Sequence, residues 1–213
     1  MASGSSARPA RRSSSATPTG TRVILVRHGR TPTTGKVLPG RAPGLHLDDH
    51  GRSQAEAVAR RIGGLKKVDA LYASPLERTR ETAAPIARTL GLRTKIDRGL
   101  LECDFGDWTG SELAKLSKLP EWTTVQRAPS AFRFPSGESF VEMQTRMVST
   151  LARLCASHRG GTIVCVSHAD PIKAAVNHAM GSHIDLFQRI VINTCSVSVL
   201  LYTSSGPILL AVN

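Results

Sequence analysis

Three short stretches carry residues able to do chemistry on an anion: Arg27-His28, Arg78 and His168. Each falls just past an apolar run that reads as a buried strand, at residues 23–26, 70–73 and 162–166. In open α/β sheets, ligands bind beyond the carboxyl ends of the strands, so segments remote in sequence can converge there on one pocket. Two arginines and two histidines around one point make a strongly electropositive hole. Arginine offers planar, bidentate donors to phosphate oxygens, and the set suits a phosphate dianion. Singly, each signal has a plainer reading. Arg-His-Gly also fits a turn with a surface histidine, His168 can cap a helix, and Arg80 has the same chemical credentials as Arg78.

Positioning such groups takes strands alternating with helices, and the chain supplies that pattern. Residues 52–62 predict a helix stopped by Gly63-Gly64. Ser74 can cap the next helix, Pro75 fits its first position and Glu77 completes a capping box. Leu76, Ala83, Ile86, Ala87 and Leu90 then form its apolar stripe, and Gly91 ends it. Residues 138–157 predict a longer helix opened by Glu138, with Met143, Met147, Leu151 and Leu154 toward the core. Asp170-Pro171 caps the helix after the third strand, and residues 196–202 and 208–212 complete the sheet. The expected architecture is a three-layer α/β/α sandwich around a mostly parallel sheet.

At 213 residues, the chain suits one well-filled α/β domain over 21–213. Residues 1–20 are Ser-, Arg- and Pro-rich without an acidic side chain, and read as a disordered basic tail with no apolar stretch for a secretory signal. Their composition also resembles a transit peptide. Arg8, Arg11 and Arg12 supply three of the net +12 charges, and the rest belong to the domain. No aromatic stacking platform or Lys/Arg block accompanies that charge, so phosphate chemistry explains it better than nucleic acid. No apolar run approaches a membrane span. Cys103, Cys155, Cys165 and Cys195 form no CxxC pair, which favours a reducing, cytoplasmic setting.

Val26-Arg27-His28-Gly29-Arg30-Thr31 resembles the signature of the histidine phosphatase superfamily, which includes the phosphoglycerate mutases. Ser74-Pro75-Leu76-Glu77-Arg78 with Thr82-Ala83 is similar to its second arginine motif, which selects Arg78 over Arg80. Leu101-Glu102-Cys103-Asp104-Phe105-Gly106-Asp107-Trp108 resembles its acid segment, and Gly137-Glu138-Ser139 and Ser167-His168 follow in order. The resemblance spans residues 22–213 and implies a phosphoglycerate mutase-like fold. It implies that His28 takes up the phosphoryl group, that Arg27, Arg78 and His168 hold its oxygens, and that Glu102 is the proton donor. Asp104 and Asp107 lie close enough in sequence to compete with Glu102.

The sequence departs from the family at several points. Thr34 stands where many relatives carry a phosphate-binding Asn, Thr109 where Glu is frequent, and Ala169 where Gly is usual. Thr34 and Ala169 are kept as substrate-binding candidates. The stretch between Glu102 and Glu138 is shorter than in the mutases, as in the smaller phosphatase branch. Residues 111–137, with Trp122, Phe132 and Phe134, are expected to form a lid that reads the non-phosphate part of the substrate. Two arginines in the cluster oppose a divalent cation and no HxH or HExxH spacing occurs, so neither metal nor other cofactor is expected. The expected activity is hydrolysis of a small phosphorylated metabolite by a monomer or homodimer. Mutase-type transfer and a non-catalytic phospho-ligand or nucleic-acid binding domain are the rival readings.

Overall fold

Val23, Leu25 and their neighbours alternate between the two faces of a sheet that is covered on both sides, which is why the strand reads as unbroken apolar sequence. The computed structural model describes residues 19–213. The reading of residues 1–20 as a disordered tail falls almost wholly outside them. Six strands, β1 (Thr21–Arg27), β2 (Ala70–Ala73), β3 (Thr94–Ile96), β4 (Thr162–Ser167), β5 (Val197–Thr203) and β6 (Gly206–Ala211), form one sheet. Their order is β3-β2-β4-β1-β5-β6. The pairs β2–β3, β2–β4 and β1–β4 are parallel, whereas β5 runs antiparallel to both β1 and β6. The mostly parallel α/β sandwich expected from the sequence is the fold observed.

Helices α1 (Asp49–Gly63) and α2 (Glu77–Leu90) cover one face, where Val58, Ile62, Ala83 and Ile86 meet Ile24 and Val26. Helices α5 (Phe140–Ser157) and α6 (Ala169–Ala179) cover the other, where Met147, Leu151, Leu154 and Ile172 meet Val23 and Leu25. Between them in sequence lie the short α3 (Leu113–Leu116) and α4 (Trp122–Arg127). A third cluster sits there, over the carboxyl end of the sheet. It gathers every Phe and Trp in the chain, five and two residues respectively. Aromatic residues are scarce here because the sheet core rests on aliphatics, and those present are spent on the roof of the site.

Three capping expectations are corrected. Ser74 does not cap α2, whose N-cap is Leu76 without a side-chain bond; the Ser74 hydroxyl is taken by His168 instead. Glu138 does not open α5. Ser139 caps that helix in a reciprocal box with Glu142, which frees Glu138 for an ion network. Asp170 lies within the first turn of α6, and His168 is the N-cap residue. Strand β3 was not expected, because three half-polar residues carry no periodic signal.

Candidate active site

Register places the candidate residues side by side. Arg27 pairs with Ser167 at the carboxyl ends of parallel β1 and β4, and Ala73 of β2 pairs with Val166. His28, Ser74 and His168 therefore leave three adjacent strands at one level. The backbone continues the ladder there, with His28 N–H donating to Ser167 O at 3.0 Å and Ser74 N–H to Val166 O at 3.0 Å. After His28 the chain turns at Gly29, where a Cβ would meet Gly51 O at 2.6 Å. Glycine in the Arg-His-Gly motif thus lets the start of α1 pack directly on the turn. Thr82 locks the same turn to α2, accepting from Gly29 N–H at 3.0 Å and donating to Arg78 O at 2.7 Å.

His28 is 5% exposed, and its Nδ1 lies 2.7 Å from Gly29 O. A carbonyl oxygen can only accept, so Nδ1 carries the proton and Nε2 presents a lone pair. Burial, with the charges of Arg78 and Arg27, holds the ring well below the usual imidazole range and keeps it neutral. The His168 ring stands edge-on at 5.3 Å between centroids, with Nε2 2.8 Å from Ser74 Oγ. Burial first, then Arg78 and His28, also depress its pKa.

Arg78 is 0% exposed. Its Nη2 donates to Gly40 O at 2.7 Å, while Nε and Nη1 are buried without partners. Arg27 donates Nη1 to Ile192 O at 2.7 Å and leaves Nε unpartnered; His168 Nδ1 is unpartnered too. Buried donors without acceptors are costly, and several gathered around a neutral imidazole describe a receptor for an anion with several oxygens. Arg80, by contrast, is exposed and faces away, beside His46 and Glu81.

Glu102 is 7% exposed and its pKa is pushed up to about 7, by burial first and by the charge of Asp170, against the pull of Cys103 N–H, Arg78 and Arg27. Of the three acidic candidates it alone lines the cavity in front of His28. Asp104 binds Arg41 and Gly106 N–H, and Asp107 faces solvent beside Ser136. Two arginines that the sequence did not single out grip the acid segment. Arg146 donates to the carbonyls of Gly99, Leu101 and Glu102 at 2.8, 2.9 and 3.3 Å and pairs with Glu138 at 2.9 Å. Arg41 donates to Glu102 O at 2.9 Å and pairs with the same Glu138. The available signal was a charged residue between Met143 and Met147 on the core side of a helix.

The cavity measures about 400 Å³. Thr34 lines it, but its hydroxyl is engaged with Thr31 N–H and Oγ1 at 2.9 and 3.0 Å. Ala169 lines it as the first residue of α6, where the helix dipole favours an anion. From the expected lid, Trp122 and Phe134 reach the cavity, whereas Phe132 packs behind them against Trp108 and Phe134. Asp170, Lys173 and Gln188 also line it and were not anticipated.

The sequence profile of the histidine phosphatase superfamily (branch 1) matches residues 23–213. A bifunctional protein of Mycobacterium tuberculosis is 30% identical over 195 residues, covering 88% of this chain and 52% of that protein. The chain thus spans about half the length of the first curated relatives it matches. Phosphoserine phosphatase 1 of Hydrogenobacter thermophilus is 28% identical over 197 residues, 90% of this chain and 92% of the relative. Among solved structures, phosphoserine phosphatase from Entamoeba histolytica in complex with 3-phosphoglyceric acid superposes with a TM-score of 0.81. That match is 27% identical and covers 91% of this chain and 96% of that one.

Proposed function

Because this chain belongs to the histidine phosphatase superfamily, branch 1, we propose that it hydrolyses phosphomonoesters through a phosphohistidine on His28. The observation that carries this reading is the set of buried, unpartnered donors on Arg27 and Arg78, with the unpartnered Nδ1 of His168, beside a histidine whose Nδ1 is fixed on Gly29. In the first step Nε2 of His28 attacks phosphorus, forming a P–N bond as the P–O bond to the alcohol breaks. Glu102 delivers its proton to the leaving oxygen, and its elevated pKa keeps that proton available. Arg27, Arg78 and His168 hold the three equatorial oxygens of the transferring phosphoryl group, over which the charge is spread. In the second step water attacks phosphorus, Glu102 takes up the proton, the P–N bond breaks and inorganic phosphate leaves. The names of the phosphoserine phosphatases among the relatives support hydrolysis.

No helix among the described residues is long and apolar enough to cross a membrane, and all four cysteines are free. Free thiols support a reducing compartment, and we place the activity in the cytoplasm.

The test is hydrolysis of an aryl phosphate in excess chelator, without a bisphosphate primer. The intact protein is expected to release inorganic phosphate, and His28→Ala to lower kcat/KM by about a thousandfold or more. Equal turnover by both proteins would remove His28 from the mechanism. A requirement for a bisphosphate primer would move the chain to the mutases.

A further inference from the structure

Beyond the phosphate-binding end, the cavity changes character. Its walls are made by Leu38, Leu113, Trp122, Val125, Phe134 and Ile190, and Val191, 64% exposed, stands at its rim. Apart from Arg27, Lys173 is the one Lys or Arg among the described residues lining it. That lysine is already committed. Its side chain is 18% exposed, Nζ lies 3.2 Å from Asp170 Oδ1 and 3.2 Å from Gln188 Oε1, and it sits 5.7 Å from the Phe187 ring centroid. A substrate carboxylate placed in this part of the cavity would have to share that lysine with Asp170, and would stand as a third negative group beside Asp170 and Glu102. An uncharged hydrocarbon or aromatic group would cover apolar wall without disturbing it.

Resting on the phosphatase reading above, we infer that the preferred substrates are monophosphate esters of uncharged, largely apolar alcohols, and that the Trp122–Val125–Ile190 side of the cavity selects them over carboxylate-bearing phosphates such as phosphoserine and 3-phosphoglycerate. Gln126 can serve one polar group on such an alcohol through an amide that donates and accepts, and Gln188, whose Oε1 is bound by Lys173, can serve another through its amide N–H. The volume of about 400 Å³ exceeds what a phosphorylated three-carbon acid fills and lies within the range of small-molecule sites.

Ethyl, butyl and hexyl phosphate have primary alcohols of similar leaving ability, so their comparison isolates contact with the walls. For the intact protein kcat/KM is expected to rise about threefold per added methylene over this series, with phosphoserine and 3-phosphoglycerate no faster than ethyl phosphate. Trp122→Ala is expected to flatten the dependence on chain length. Val191→Asn, at an exposed position that poses no folding risk, is expected to reduce it at the hexyl end. A flat series, or carboxylated esters turned over faster than hexyl phosphate, overturns the inference while leaving the phosphatase reading in place. If His28→Ala releases phosphate from these esters as fast as the intact protein, the reading beneath it fails instead.

Discussion

One hydrogen bond, from His28 Nδ1 to Gly29 O, decides which imidazole nitrogen presents its lone pair, the one that attacks in the proposed mechanism. Burial, reinforced by the charges of Arg78 and Arg27, keeps the ring neutral. In the proposed mechanism Glu102 has the opposite requirement, since a proton donor must be protonated before the first step. Its pKa is raised to about 7, so the donor form is filled below that pH and is lost as pH rises through it. With an alkyl phosphate, kcat/KM is therefore expected to fall about tenfold per pH unit above neutrality. His28 stays neutral until well below the ordinary imidazole value, which puts the acid limb of the profile lower still. Glu102→Gln is expected to cost about a hundredfold to ten-thousandfold with alkyl substrates and to abolish the alkaline limb. Its effect on nitrophenyl phosphate should be smaller, because that leaving oxygen needs no proton. A pH–rate profile of both proteins checks this, and an unchanged alkaline limb in the variant would move the proton donor elsewhere.

At the scale of elements, the carboxylate proposed as proton donor lies on an irregular segment and needs a rigid support. Residues 101–105 contain no helix or strand, and Arg146 of α5 supplies the support by holding the Leu101 and Glu102 carbonyls, that of Gly99 just before them, and Glu138. Arg146→Met is expected to lower kcat by about tenfold to a hundredfold through misplacement of Glu102. KM is expected to change little, because the phosphate-holding groups lie on other elements. A merely structural role would lower the melting temperature without moving the alkaline limb of the pH profile, whereas a positioning role moves that limb. The cap of the same helix is separable: Ser139→Ala removes its bond to Glu142 N–H and is expected to cost about 1 kcal/mol of stability in a denaturant titration.

At the scale of the molecule, the site is held against the preferences of the fold. Arg78 is fully buried with two nitrogens unpartnered, an arrangement that favours binding and disfavours the empty state. Inorganic phosphate is expected to raise the melting temperature of the intact protein, by about 2.7 kcal/mol of stability at a hundredfold excess over its Kd. Arg78→Met is expected to melt higher than the intact protein in phosphate-free buffer and to lose the phosphate-induced rise. Thermal melts with and without phosphate decide it; a variant that still responds to phosphate would show that Arg78 is not part of the anion receptor.

The sequence by itself determined which residues are the candidates for the site. The apolar runs ending near Arg27, Ala73 and Ser167 mark strand termini by local pattern, which points to His28 and His168, and the resemblance of the short motifs adds Arg78 and Glu102 as candidates. Local chemistry also determined where α2 ends, because Gly91 takes a left-handed conformation with φ of 64°. Only the tertiary structure decided that β4 inserts between β2 and β1, which brings the two histidines edge to edge. Strand order depends on pairing between segments far apart in the chain, and no local pattern encodes it. The same limit explains Ser74, which has the residue type of a helix cap but binds His168, and Glu138, which has the position of a helix opener but binds Arg41 and Arg146. A polar side chain takes the partner that burial leaves it, and what is buried is settled when the layers close.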